Sequence, residues 1–323
     1  MDNLEAIRLF VEAEQTGGIS AAGRKLGLSP AAASARLLKL ESSLATRLFE
    51  RTTRQLRLTD EGRIYLQYCR QALQALDDAR AALSVEKKEI RGKIRISATS
   101  DFGRHVLNAW LDEFMALYPQ VVPALILSDS LSHLIADDVD LMIRFGVPPA
   151  SSLVARPLAA NRRVLCAAPS YLKRKGMPSH PDQLADFDHI VASQNGWSSE
   201  WHLLRGNETS IFKVPMEFAR ETNDGALARQ WAIDGHGIVL KSIWDVSADL
   251  YAGRLSLVMP DWQTAESPLH ALYPRNRYLP ARVRALLDFL RERFAQAAQE
   301  VHIGGASNPA LVSTLFCDAN EPS

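Results

Sequence analysis

Apolar positions in the first sixty residues recur at helical spacing in short runs and then give way to alternation. Leu4, Ile7 and Val11 fall on one stripe, which predicts an amphipathic helix over 4–11. A second helix is expected over 20–26, after the flexible Gly17-Gly18 pair, and Gly27-Leu28 then turns the chain. Ser29-Pro30 supplies an N-cap and a first-turn proline for a third helix. In it Ala33, Leu37, Leu40 and Leu44 recur at steps of four, three and four, so one face is buried. From Gln55 onward polar and apolar residues alternate, and 51–59 reads as a β-wing. Two short helices joined by a tight glycine turn form a helix-turn-helix, whose second helix can lie in a DNA major groove.

From Asp60 to about Lys88 there is no proline, and the one glycine is Gly62. Thr59 can cap this stretch, with Asp60 and Glu61 near the positive helix end. Leu66, Cys69, Leu73, Leu76, Arg80 and Leu83 alternate steps of three and four, a coiled-coil seam, although packing on the chain's own domain has the same periodicity. Beyond Gly92 short apolar strands (93–98, 124–128, 139–145, 163–168, 189–192, 237–240, 269–273) alternate with helices (104–118, 131–137, 226–234, 243–252, 281–298). That alternation argues for an α/β domain with a largely parallel sheet, in which ligands lie beyond the carboxyl ends of strands, near helix N-termini.

The chain as a whole is neutral, with 37 basic and 37 acidic residues, so its net charge says nothing about partners. Between Ser20 and Thr59, however, eight basic residues face only two acidic ones, a local excess suited to phosphates. Opposite the apolar stripe the third helix carries Ala31, Ser34, Ala35 and Leu38, flanked by Arg36 and Lys39. Ser34 can bond base edges, Ala31 or Ala35 can touch a thymine methyl, and Arg36 and Lys39 suit phosphate. The wing arginines can reach the backbone or an adjacent minor groove. The candidate DNA contacts are therefore Ser29, Pro30, Ala31, Ser34, Ala35, Arg36, Lys39, Arg51, Thr53 and Arg54, with DNA shape sharing the specificity.

Catalysis finds no support. The eight histidines are scattered, and Cys69, Cys166 and Cys317 form no Cys-x-x-Cys pair, so neither a metal site nor a cofactor is expected. No Gly-x-Ser-x-Gly elbow, phosphate loop or dinucleotide fingerprint is present. A redox sensor needs an exposed, low-pKa cysteine with a resolving partner, whereas Cys69 fits a helix seam, Cys166 a buried strand and Cys317 the tail. The start Met-Asp-Asn-Leu-Glu offers no apolar leader, and no stretch approaches a membrane span. A cytoplasmic protein is the expectation, with no membrane partner and a disordered tail over 304–323.

The N-terminal residues carry a resemblance. Leu4–Ala13, Ala21-Ala22, Leu26–Pro30, Leu40-Glu41, Leu48–Arg54 and Leu58–Gly62 together resemble the DNA-binding domain of LysR-type transcriptional regulators. Two positions depart from that pattern. Gly18 stands where the family usually has serine, which loosens the start of the second helix, and Ala35 stands where it often has a basic residue, which removes a contact. Val139–Gly146 and Leu153–Ala159 resemble the family's central strands, and Arg162–Leu172, Asp234–Leu240 and Leu272–Leu290 match it likewise. The resemblance implies a winged helix-turn-helix domain (1–59) and a dimerising linker helix (60–88) with Leu66, Cys69, Leu73, Leu76 and Leu83 at the interface and Arg80 setting register. It further implies a two-lobed, periplasmic-binding-protein-like α/β effector domain (89–303). One lobe would span 91–160 and 269–300, the other 161–268.

In that frame the strand ends and helix starts are the candidate effector contacts. They are Thr99, Ser100 and Asp101; Ser128; Arg144, Phe145 and Gly146; Asn195 and Trp197; and Thr222 and Asn223, beside Asp224. Ordinary capping and turn chemistry explains each position equally well, and Arg144 has a second option in pairing with Asp101. The expected effector is a small metabolite with a carboxylate or polar handle and an apolar part. The expected partners are double-stranded DNA, further copies of the chain in a homodimer or homotetramer, and RNA polymerase if the protein activates. The alternatives are an effector-independent repressor and a cysteine-based redox regulator.

Overall fold

The computed structural model describes residues 4–51, 56–83, 90–129, 139–146, 153–192, 200–274 and 279–300. The chain divides into two compact units, Met1–Glu89 and Ile90–Ser323. In the first, α1 (Leu4–Thr16), α2 (Ile19–Lys25) and α3 (Pro30–Ser43) precede a small hairpin, β1 (Phe49–Arg51) with β2 (Leu56–Leu58), and the long α4 (Asp60–Leu83). The glycine turn is made by Gly27 in the left-handed region, φ 71°. It lets Leu28 N–H reach the Gly23 carbonyl at 2.8 Å and Gly27 N–H reach that of Arg24 at 3.2 Å, closing α2 with a Schellman motif. Ser29 caps α3 by accepting from Ala32 N–H at 3.2 Å. Gly18 starts α2 with no side-chain cap, as the departure at that position implies.

The face buried by α1 is centred on Leu9, Phe10 and Ala13, while Leu4 and Ile7 of the expected stripe are only half-buried. Three helices pack on α1, and together they cover more of it than one stripe. The Phe10 ring meets Phe49 edge-on at 5.2 Å and Tyr65 at 5.7 Å, tying α1 to the wing and to α4. Leu66 and Cys69 belong to this same core, and Leu73 packs at its margin. The first two residues of the expected dimer seam therefore serve the chain's own domain. Among the described residues of α4 the large apolar side chains left exposed are Ile64, Tyr68 and Leu76. The Leu83 side chain and the 84–88 stretch of the expected linker lie outside the described residues.

The second unit contains two five-stranded sheets. The first takes the order β4 (Val121–Leu127), β3 (Gly92–Ala98), β5 (Leu141–Phe145), β14 (Leu269–Pro274), β6 (Leu153–Ala159). The second takes the order β11 (Arg220–Thr222), β8 (His189–Ala192), β12 (Ile238–Ser242), β7 (Arg163–Ala167), β13 (Ser256–Leu257). Each sheet has two parallel and two antiparallel pairings, not the largely parallel arrangement expected from the alternation. In both sheets the antiparallel pairings lie on one side, and they arise where the chain returns from one lobe to the other. Of the two segments expected to be central, β5 is the middle strand but β6 is an edge.

The helices are α5 (Ser100–Phe102), running through a π-helical turn (Gly103–Leu107) into α6 (Asn108–Leu117), then α7 (Pro169–Lys175), α8 (Gly225–Ile233), α9 (Ile243–Tyr251) and α10 (Ala281–Glu300). A hairpin of β9 (Glu200–Arg205) and β10 (Glu208–Lys213) sits apart from the sheets. The expected helix at 131–137 and the tail lie outside the described residues. One hydrophobic cluster spans both lobes, and a second lies within the 161–268 lobe. Trp110, Trp244 and Phe294 meet with centroids 4.7–6.4 Å apart, and Phe102 stacks on Phe294 at 5.8 Å. At the crossover Asn161 is buried; its amide donates to the Ser267 carbonyl at 2.8 Å, and its oxygen accepts from the Ser242 hydroxyl at 2.7 Å. The two passages of chain between the sheets are thereby held side by side.

Candidate functional site

The surface that can meet DNA is the outer face of α3. Ala31, Ala35, Leu38 and Lys39 are exposed and Ser34 is half-buried, so this helix offers a mainly small, apolar surface. Arg36 turns back and pairs with Glu5 at 2.9 Å. It is therefore engaged within the domain, unlike Lys39. One of the two acidic residues in the basic stretch, Glu41, is buried and accepts from the Leu48 and Phe49 N–H groups at 2.8 and 3.3 Å. Its charge is spent on seating the wing, which leaves the outer surface more basic than the sequence count suggests. Thr53 and Arg54 lie outside the described residues, as does the side chain of Arg51.

The second candidate site is a narrow cleft lined from both lobes. Thr99, Asp101, Asp129 and Phe145 come from the first lobe; Arg163, Gly225, Leu240, Lys241, Ser242 and Asp245 come from the second. Its floor is a buried ionic cluster. Lys241, last but one in β12, places Nζ 2.5 Å from Asp101 and 2.9 Å from Asp245, and donates to the Gly225 carbonyl at 3.0 Å. Asp101 also meets His105 Nδ1 at 2.9 Å, and Arg229 lies 3.9 Å away while binding Asp249 at 2.6 Å. Burial lowers the Lys241 pKa, but the charges of Asp245 and Asp101 outweigh that and raise it above the ordinary lysine value. Thr99 stands at the N-cap of α5 with no cap hydrogen bond, and its buried hydroxyl has no partner among the described residues. One oxygen of Asp245 is likewise buried and unpartnered.

Burial, opposed by Lys241 and reinforced by Asp101, pushes the Asp245 carboxyl up from 3.8 to about 6. Between those values the folded protein holds a proton that the unfolded chain has released. Stability therefore falls as pH rises through this window, by roughly 2–3 kcal/mol. Asp245→Asn cannot ionise, so its stability relative to the unsubstituted protein should climb from pH 4 to pH 6. Melting curves of the two proteins across that range check this, and a constant difference would mean that Asp245 titrates as an ordinary carboxyl.

Of the effector contacts expected from the sequence, Thr99, Asp101 and Phe145 line the cleft. Ser100 is next to it: its hydroxyl lies 2.6 Å from Asp129 and 2.9 Å from Asp224. Although partial burial disfavours its charge, Asp224 is held below its usual range by Ser100, the Ala226 and Leu227 N–H groups and Arg104. Thr222 accepts from the Asp224 N–H at 3.0 Å, a turn role, and Asn223 is exposed. Ser128 pairs its N–H with the Ala98 carbonyl. Arg144 does not pair with Asp101. It is buried, bonded to the Ser97 hydroxyl at 2.7 Å and the Ile143 carbonyl, and burial pushes its pKa down to about 10. Gly146, φ 89°, offers its carbonyl to His270 at 3.0 Å. Asn195 and Trp197 lie outside the described residues. Lys241, Asp245 and Asp129 were not anticipated; the detectable signal was a lysine closing the apolar run Ile238–Leu240, with an aspartate four residues on.

A winged helix-turn-helix unit together with a two-lobed α/β unit defines a transcriptional regulator with a DNA-binding and a substrate-binding domain. Residues 4–63 match the family described as bacterial regulatory helix-turn-helix protein, lysR family, and residues 87–295 match the LysR substrate binding domain. The chain belongs to the LysR family. It is 33% identical over 294 residues to the HTH-type transcriptional regulator DmlR of Escherichia coli (strain K12), covering 91% of this chain and 95% of that protein. It is 31% identical over 306 residues to the transcriptional activator AaeR of the same strain, covering 94% and 98%. A transcriptional repressor of Pseudomonas aeruginosa (strain UCBPP-PA14) is 32% identical over 298 residues, covering 92% and 93%. Among solved structures, CrgA from Neisseria meningitidis, a LysR-type transcriptional regulator, superposes with a TM-score of 0.58 at 28% identity, covering 91% of this chain and 99% of that one. Among the described residues no helix is long and apolar enough to cross a membrane.

Proposed function

We propose that this regulator binds promoter DNA as a homo-oligomer and that a small molecule with a carboxylate or polar handle, held between the lobes, sets the geometry of that binding. The observation that carries the effector reading is the cleft: it draws residues from both lobes and keeps the Thr99 hydroxyl and one Asp245 oxygen buried without a partner. Buried polar atoms left unpaired cost about 1–3 kcal/mol each, so a ligand that satisfies them binds with that advantage. A molecule bridging two lobes favours one inter-lobe arrangement over another, which is the differential affinity that any switch requires.

The oligomer reading rests on the exposed Ile64 and Tyr68, four residues apart on one face of α4, with Leu76 adding exposed apolar surface further along the helix for a second copy to cover. The redox alternative loses support from Cys166, fully buried and with its thiol pushed up to about 12 by burial, and from Cys69, buried in the DNA-binding core; Cys317 lies outside the described residues. Catalysis is not part of the proposed role. The relatives include both an activator and a repressor.

The test is a footprint of the purified protein on the DNA beside its own gene, with competitor present. Protection of a dyad over about two helical turns or more is expected, with half-sites about 10 base pairs or a multiple apart. Binding that competitor DNA abolishes entirely would overturn sequence-specific regulation by the chain alone.

A further inference from the structure

The head of the cleft is occupied by the chain itself. Asp129 follows β4, and its carboxylate accepts from the Ser100 N–H at 2.7 Å on one oxygen and from the Gly225 N–H at 2.8 Å on the other. The Ser100 hydroxyl lies 2.6 Å from the second oxygen. It has a single proton to share between Asp129 and Asp224, so the two backbone amides are the constant donors. Ser100 opens α5 in one lobe and Gly225 opens α8 in the other. One carboxylate thus joins both lobes through amides that helix geometry leaves without intrahelical partners. Such donors recognise the group and not the residue that carries it.

Two further observations point to a ligand at the same place. The Thr99 hydroxyl, next to Ser100 and nineteen-twentieths buried, lines the cleft without a partner among the described residues, as does one buried oxygen of Asp245. Asp129 meets neither. A carbon placed on Gly225 would lie 3.1 Å from Lys241 Nζ and 3.5 Å from the Asp129 carboxylate, so the ammonium stands beside the amide cradle. Charge decides what happens when another carboxylate arrives. Asp101 and Asp245 already pair with Lys241 and Asp129 lines the same cleft, with Arg163 the one other cation among its described lining residues. A fourth carboxylate added to that set would meet strong like-charge repulsion in a buried setting, whereas an exchange leaves the local charge as it is.

We propose that Asp129 is a tethered occupant of the effector's carboxylate subsite, and that a small organic carboxylate binds by replacing it on Ser100 N–H and Gly225 N–H. This rests on the reading of the cleft as the effector site. The regulator then switches by exchanging one carboxylate for another and not by filling a vacant space.

The experiment uses the full-length chain and acetate, which is the Asp129 side chain detached from its backbone. Thermal shift and calorimetric titration at constant ionic strength, with chloride as control, are applied to the unsubstituted protein, Asp129→Gly and Asp129→Asn. Asp129→Gly should gain saturable, acetate-specific binding at least tenfold tighter than in the unsubstituted protein. Asp129→Asn keeps the shape and loses the charge, and should show a smaller gain in the same direction, which keeps the test readable if the glycine variant folds poorly. Equal acetate affinity in all folded forms, or an effect that chloride reproduces, would overturn the proposal. Neither result bears on the footprint of the unsubstituted protein, so a failure here is distinguishable from a failure of the regulator reading.

Discussion

Lys241→Met should destabilise the effector domain by about 3 kcal/mol, the low end of the cost of removing one partner from a buried ion pair. Methionine preserves the length and apolar stem, so packing in β12 is largely retained. What is lost is the ammonium between Asp101, 1% exposed, and Asp245, 8% exposed. Asp101 keeps His105 and a distant Arg229, which sets the estimate at the low end; Asp245 keeps no cation within ion-pair distance among the described residues. Adding Asp245→Asn to Lys241→Met should recover part of the loss, because a neutral amide does not need the missing charge. Chemical denaturation of the single and double variants measures both effects. A single-variant loss under about 1 kcal/mol would mean that water, not Lys241, compensates the cluster.

Gly62→Ala should destabilise the DNA-binding unit by about 2–4 kcal/mol, at or beyond the upper end of overpacking costs, and weaken operator binding with it. Helix propensity alone predicts the reverse, since alanine is favoured over glycine in a helix by about 1 kcal/mol. Position decides. A Cβ at Gly62 would lie 2.1 Å from the Leu48 carbonyl oxygen and 3.0 Å from its carbon, and neither atom is the end of a flexible side chain. That carbonyl accepts from Thr59 N–H at 3.1 Å, while the Thr59 hydroxyl accepts from Gly62 N–H at 2.9 Å and donates to the Arg47 carbonyl at 2.8 Å. The methyl group therefore pushes the wing off the helix that anchors it. Melting temperature and footprint affinity check this, and a variant as stable as the parent would show that the approach relaxes at little cost.

The DNA-binding half was legible because its signals are local. Ser29 before Pro30, Gly27 in the turn and the Ala33, Leu37, Leu40 stripe each act within one or two helical turns, and the structure places them as cap, Schellman residue and core. Spacing could not decide the partner of the α4 stripe, because a helix buries Leu66 and Cys69 by the same periodicity whether the partner is its own domain or a second copy. In the effector domain, strand and helix segments were legible but strand direction was not: nothing in the text near 269–274 says that β14 returns antiparallel. The β9–β10 hairpin did carry a readable sign, Gly206-Asn207 between two alternating runs. Asp129 carried none, since its partners Ser100 and Gly225 lie 29 and 96 positions away.

The strand order of the first lobe also imposes a timetable on synthesis. β14 is inserted between β5 and β6, and His270 touches Gly146, 124 positions earlier. The sheet keeps a gap next to its middle strand until residue 274 has been added, while every element of the DNA-binding unit exists by residue 83. Pairing over such separations is slow and leaves strand edges open in the interval. A chain broken off between those points has a finished DNA reader joined to an open-edged, aggregation-prone sheet. Closure of the first sheet therefore waits for its last strand, long after the elements of the DNA-binding unit have been made.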